Sequence, residues 1–362
     1  MEDYYSHLIE SQSKKTINFE DECIIKSRRL WRIYYRMKVK NIYKPSDKVY
    51  LDEYKTEDPF LKYFSQIVRV IFYMNKNKKL NSTQLIELQG LQQNNVNSYW
   101  KGLRDYYLAK YLITNKHVEE AKLIKELLHS AKLESESCNN QLLKGECIFL
   151  EGVFNFINNE FSQTITLYIQ ALKIFKENNY NPNYRSTLMS IAGFYARFNE
   201  FEKSIEYYQL AMDEAPDNLK HYMYVIFGDL YLKMGDYEQA MDYYELGRQI
   251  YLKSNDYYSL TSCLDGIGHI LLINEEYVDA ELCLLDSIEI KKREEITGSD
   301  LYINSYILLG KFYFAIGNTE NALTHLKHAK KLALKRESIV ILAEIKKILK
   351  SNQSKLHTIL DF

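Results

Sequence analysis

The most constraining stretch of this chain is Tyr222 to Gly247, YMYVIFGDLYLKMGDYEQAMDYYELG. Small residues fall at Gly228, Ala240 and Gly247, and aromatics at Tyr231, Tyr237 and Tyr244. Two antiparallel helices can approach closely only where their facing side chains are small, and the aromatics fill the space beside each approach. Gly235-Asp236 ends the first helix, because glycine accepts the left-handed backbone of a helix C-terminus. The same order recurs along the chain. First-helix anchors fall at Ala109, Gly152, Ala192, Gly228, Gly268 and Gly310, with second-helix partners at Ala121, Thr164, Ser204, Ala240, Ala280 and Ala322. The turn before each second helix reads NKHV, NNEF, FNEF, MGDY, NEEY and IGNT. Repeats therefore start near Gly102, Gly145, Arg185, His221, Thr261 and Ile303.

This ordering resembles the tetratricopeptide helix–turn–helix unit, whose usual period is about 34 residues. The copies here are longer, and the excess is expected in the second helix and connector of each pair. The resemblance implies an all-α fold, a tetratricopeptide-like helical-repeat superhelix (α-solenoid) with a concave groove lined by the first helix of each pair. The expected organisation is an N-terminal helical region at 1–100, six repeats at 101–336 and a C-terminal capping helix at 337–362. That last helix would turn Ile339, Leu342, Ile345 and Leu349 to one face, as repeat arrays need at their ends. Most of the 32 Tyr and 16 Phe should serve interhelical packing.

Composition narrows the function classes. At 46% hydrophobic and 26% charged residues the chain is globular. Its net charge of −1 gives no global electrostatic case for nucleic acid. Five widely spaced cysteines contain no CxxC pair, so free thiols in a reducing compartment are expected. No apolar leader or membrane-length run is seen, and a cytoplasmic protein without a membrane partner is expected. Phosphate-loop, HExxH, GxSxG and EF-hand patterns are all missing. No catalytic residue, cofactor or metal site is assigned. His325 and His328, three apart, lack a further ligand in sequence.

The N-terminal region holds one further feature. Lys26, Arg28, Arg29, Arg32, Arg36, Lys38, Lys40 and Lys44 run without an acidic residue, interleaved with Trp31, Tyr34 and Tyr35. One reading is a basic helix whose Arg28, Arg29, Arg32 and Arg36 dock an acidic partner, with nucleic acid as the lesser alternative. The other is an internal helix neutralised by Asp52, Glu53, Glu57 and Asp58. Pro45 and Pro59 are expected to bracket a loop or extended piece, followed by a helix near Phe60 to Met74.

Function is then expected in the groove. First-helix positions three before the anchor, and one, four and five after it, should face the concavity. They supply Met189 and Arg197; Val225, Asp229, Leu232 and Lys233; Asp265, His269 and Leu272; Ile307, Lys311 and Phe314, with Tyr222 near the rim. Such a mixture suits an extended peptide. The expected activity is a non-enzymatic regulatory scaffold that binds a peptide or protein.

Gln170 to Ala215, QALKIFKENNYNPNYRSTLMSIAGFYARFNEFEKSIEYYQLAMDEA, also resembles the long repeats of the Rap family of quorum-sensing receptors. That resemblance implies the alternative: a response-regulator phosphatase or sequestering protein controlled by a signalling peptide. The family's peptide-anchoring Asn would fall at Ile226, Gly266 or Leu308 here, and its N-terminal phosphatase Gln has no assigned counterpart. Adaptor proteins with repeats of similar length are the second resemblance, and they favour the non-enzymatic reading.

Overall fold

The computed structural model describes residues 30, 33, 44–54, 64–69, 98–115, 120–216 and 220–352. Arg28, Arg29, Arg32 and Arg36 lie outside the described residues, as does the rest of the basic segment apart from Leu30, Ile33 and Lys44. The described residues contain α-helices and short 3-10 turns and no strand.

The expected loop after Pro45 is instead a helix, α1 (Pro45–Glu53). Proline stands at its first turn, where no backbone N–H is required and the fixed φ already suits a helix. Residues 64–69 are helical, within the span expected for Phe60 to Met74.

The chain divides into two compact units, Met1–Thr187 and Leu188–Phe362. In the first, the helices are α2 (Ser98–Thr114), α3 (Ala121–Ser137), α4 (Gln141–Ile157) and α5 (Phe161–Glu177), followed by the start of α6 (Asn181–Arg197). Its core joins Leu30, Ile33, Leu51, Phe64 and Ile67 to Tyr106, Tyr111 and Leu112 of α2 and Ile124 and Leu128 of α3. These described N-terminal residues therefore share one core with the first helical pair. At the α4–α5 contact, a methyl group added at Gly145 would stand 2.6 Å from the Phe175 ring.

The second unit holds the rest of α6, then α7 (Phe201–Asp213), α8 (Tyr224–Met234), α9 (Tyr237–Ser254), α10 (Tyr257–Ile273), α11 (Tyr277–Arg293), α12 (Asp300–Ala315), α13 (Thr319–Lys335) and α14 (Ile339–Ser351). A 3-10 turn at His221–Met223 leads into α8.

The extra length per repeat is not confined to second helices and connectors, as the sequence reading expected. α4 and α5 both have 17 residues, as do α10 and α11. The connectors are short because a left-handed residue closes most of the described repeat helices, α7 being an exception with Glu214 at φ −82°. Asn139, Asn159 and Asn179 do this in the first unit, and Asn199, Gly235, Asn255, Glu275, Gly317 and Glu337 in the second, with φ between 51° and 81°. The next amide then reaches back to a carbonyl in the last turn, as Asn140 N does to Ser135 O at 2.8 Å and Asp236 N to Tyr231 O at 3.0 Å. Asparagine tolerates that backbone better than most side chains do. Side-chain caps open several of the following helices: Asn140, Asp236, Asp256 and Asn318 accept from the amides of Leu143, Gln239, Ser259 and Asn321.

The small-residue anchors sit at the helix crossings. Ala109, Ala192, Thr164, Ser204, Ala240, Ala280 and Ala322 are fully buried. The Ser204 hydroxyl donates to the Ala192 carbonyl at 2.9 Å, which satisfies it across the crossing. Tyr244 is the tightest fit. A methyl group at Gly228 would lie 2.5 Å from its ring, and one at Gly266 would lie 2.3 Å from it. The ring is thus held between α8 and α10, fully buried. In α14 the buried face is Ile341, Ile345 and Ile348, whereas Ile339 is 80% exposed. Leu342 and Leu349 of the expected face pack half-buried against the same core, so of the four expected residues only Ile339 falls off the packed face.

Candidate functional site

The expected groove residues of the second unit fall into three groups. The first is solvent-facing. Asp229 and Lys233, one turn apart on α8, are exposed, as is Arg197 on α6. Tyr222 is 53% exposed, its ring 4.2 Å from that of His221. Met189 is half-buried.

Asp229 combines exposure with crowding. Its Oδ1 accepts the Tyr244 hydroxyl at 2.6 Å. Desolvation is the leading cause that raises its pKa, ahead of the Tyr244 hydrogen bond and Lys233, which lower it. Asp229 thus keeps exposed surface while the protein around it removes part of its hydration. Tyr244 is fixed by Gly228 and Gly266, so the carboxylate it anchors is fixed too. Gly266 is one of the three positions, with Ile226 and Leu308, expected from the Rap resemblance for an anchoring Asn, and it accommodates the tyrosine ring.

The second group lies on α10, α12 and α14. His269 is half-buried, and its pKa is lowered first by burial and then by Lys311. Lys311 Nζ meets Glu344 Oε1 at 2.9 Å. The sequence reading did not include Glu344, because it ended the groove with the sixth repeat. Lys311 and Glu344 border an open pocket of about 480 Å³, lined also by Ala343, Lys347, Ile348 and Ser351.

The third group points inward. Phe314 is 2% exposed and belongs to the core around α12 and α13, with Ile307. Asp265 is buried in a polar cluster between α10, α11 and α12. Lys291, with no exposed surface, donates to Asp265 Oδ2 at 2.6 Å, to Ser287 Oγ at 3.0 Å and to Ser305 Oγ at 2.5 Å. Ser287 donates to Asp265 Oδ1 at 2.6 Å, and Ser305 donates to Oδ2 at 2.9 Å. All three ammonium protons are used. Burial lowers the Lys291 pKa, while the carboxylate opposes that shift.

Other reactive side chains are structurally engaged. His325 stacks on Tyr313 with ring planes 4° apart, and His328 lies 4.3 Å from the Tyr306 ring. The Tyr313 hydroxyl donates to Glu281 at 2.5 Å. Burial is the first cause lowering both histidine pKa values. Among the described residues no group of three or more His, Cys, Asp or Glu is placed to hold a metal. Cys138, Cys147, Cys263 and Cys283 are free thiols, and burial pushes Cys263 up to about 12. Such thiols carry little thiolate at neutral pH. No described helix is long and apolar enough to cross a membrane.

The tetratricopeptide repeat family profile matches residues 221–250 and 303–336. No curated protein matches the chain by sequence. Solved structures resemble it over most of its length. One is a Rap protein complexed with competence and sporulation factor, at TM-score 0.59 and 14% identity over 93% of each chain. Another is aspartyl phosphate phosphatase F from Bacillus subtilis, at TM-score 0.59 and 11% identity over 94% of this chain and 89% of that one. A third is a signal transduction ATPase with numerous domains and a tetratricopeptide repeat sensor from Pyrococcus horikoshii. It aligns at TM-score 0.65 and 18% identity, covering 95% of this chain but 54% of that one. Similarity at these identities establishes the tetratricopeptide-like fold.

Proposed function

We propose that this chain is a non-enzymatic regulatory scaffold whose first-helix face in residues 188–362 binds an extended peptide or protein segment. The observation that carries this reading is Asp229: a carboxylate open to solvent, desolvated by its surroundings and pinned by a buried tyrosine hydroxyl. A preorganised acceptor of this kind can receive a backbone amide or a cationic side chain with little ordering cost. Lys233, one turn on, offers the opposite charge, and His269 and Lys311 extend the polar row across α10 and α12. The mixture supplies donors and acceptors to both the backbone and the side chains of a ligand. A Rap conjugation gene regulator solved in complex with the Phr* peptide has a similar fold and supports a peptide as the ligand class.

The test is retention of short linear peptides of randomised sequence by the immobilised full chain. Asp229→Asn combined with Lys233→Gln removes both charges but leaves an oxygen to accept from Tyr244, so the fold is spared. This double variant is expected to weaken retained peptides by about tenfold or more, the size of one or two charged hydrogen bonds. Unchanged retention excludes this face.

The likeness to aspartyl phosphate phosphatase F favours a second reading, that the chain removes the phosphoryl group of a response regulator or sequesters the regulator under control of a signalling peptide. A regulator's aspartyl-phosphate lifetime, measured with and without the chain, separates the two. A change in lifetime supports this alternative, and no change leaves the scaffold reading.

A further inference from the structure

We propose that the pocket between α12 and α14 is a carboxylate subsite, which takes the free chain end or an acidic side chain of the bound peptide. The proposal rests on the peptide-binding reading above and adds to it the chemistry of one end of the ligand. Two cations face this pocket, Lys311 from α12 and Lys347 from α14, against the single carboxylate of Glu344. Glu344 engages Lys311 at 2.9 Å, which leaves that ammonium two protons for a ligand. Lys347 is exposed and has no hydrogen-bond or ion-pair partner among the described residues. The pocket therefore carries one uncompensated positive charge, which matches a monoanion. A phosphate dianion would bring a second negative charge against Glu344.

The remaining walls fit the same ligand. Ala343 and Ile348 give an apolar surface for an aliphatic stem, and Ser351 completes the lining with its hydroxyl donated to the Ile348 carbonyl at 2.9 Å. The volume, about 480 Å³, exceeds what a single ion needs and holds a terminal residue. The pocket is continuous in chemistry with the polar row, because His269 on α10 senses the charges of both Lys311 and Glu344. A peptide lying across α8, α10 and α12 reaches α14 next, and there meets the free lysine.

The experiment uses the full chain and two synthetic pools of short linear peptides, identical except that one ends in a free acid and the other in an amide. Retained peptides are sequenced by mass spectrometry. The free-acid pool should be retained about tenfold better, the effect of one charge-assisted contact. Lys347→Gln should bring the two pools to parity with the thermal midpoint unchanged. Enrichment of Asp or Glu among retained amides instead identifies a side chain as the source of the carboxylate. Acid and amide pools retained alike without acidic enrichment, or a preference that survives Lys347→Gln, overturn the subsite and leave the groove reading standing. Retention from neither pool overturns both.

Discussion

Replacing Lys291 with methionine should lower the unfolding free energy by about 3 kcal/mol, the loss typical when one partner of a buried ion pair is removed. Methionine fills much of the lysine volume, so cavity formation adds little. The cost arises because Asp265, 7% exposed, would lose its counter-charge and keep only the Ser287 and Ser305 hydroxyls as donors. Three helices meet at this cluster, so the loss should appear as a lower urea midpoint for residues 188–362. The double variant Lys291→Met with Asp265→Leu should recover most of it, since an apolar pair of similar volume needs no counter-charge. A single variant within about 1 kcal/mol of the parent would mean that Asp265 finds water once Lys291 is gone.

Gly266→Ala should destabilise the same unit by about 1 kcal/mol, the overpacking cost less the gain in helix propensity. The added methyl group would stand 2.3 Å from the Tyr244 ring, which is also crowded by Gly228 of α8. Overpacking of this kind costs roughly 1–3 kcal/mol, against a gain of about 1 kcal/mol from better helix propensity. The net effect holds only if the ring is rigidly held. Gly193→Ala is the control, because its nearest neighbour is the Tyr208 hydroxyl at 3.7 Å, an ordinary contact. There the propensity gain should dominate and the midpoint should rise. Equal behaviour of the two substitutions, read by urea unfolding, contradicts the clamp and with it the fixed position of the Asp229 carboxylate.

The repeat register was legible because it is written in local size complementarity. Gly228, Gly268 and Gly310 must be small where Tyr244, Leu284 and Leu326 press on them, and that pairing falls within one helical hairpin. The direction of individual side chains was less legible. Counting from the anchor placed Asp265 in the groove beside Asp229. Its actual surroundings come from Lys291 and Ser305, 26 and 40 residues away in sequence, and no local pattern announces such partners. Phe314 follows the same logic, drawn into the core by α13. Glu344 and Lys347 were overlooked for another reason. A helix read as a cap was expected to contribute only its buried face, yet its other side borders the pocket. Pro45 shows the ambiguity of a single residue type, since proline both breaks helices and starts them.

Amide hydrogen exchange of the full chain, with and without a peptide selected from the randomised pool, tests the central claim most directly. Peptide binding to the first-helix face should slow exchange in Tyr224–Met234, Tyr257–Ile273 and Asp300–Ala315, the spans of α8, α10 and α12. The second helices α9, α11 and α13 should change much less. Protection confined to those second helices, or to residues before Leu188, would contradict the account.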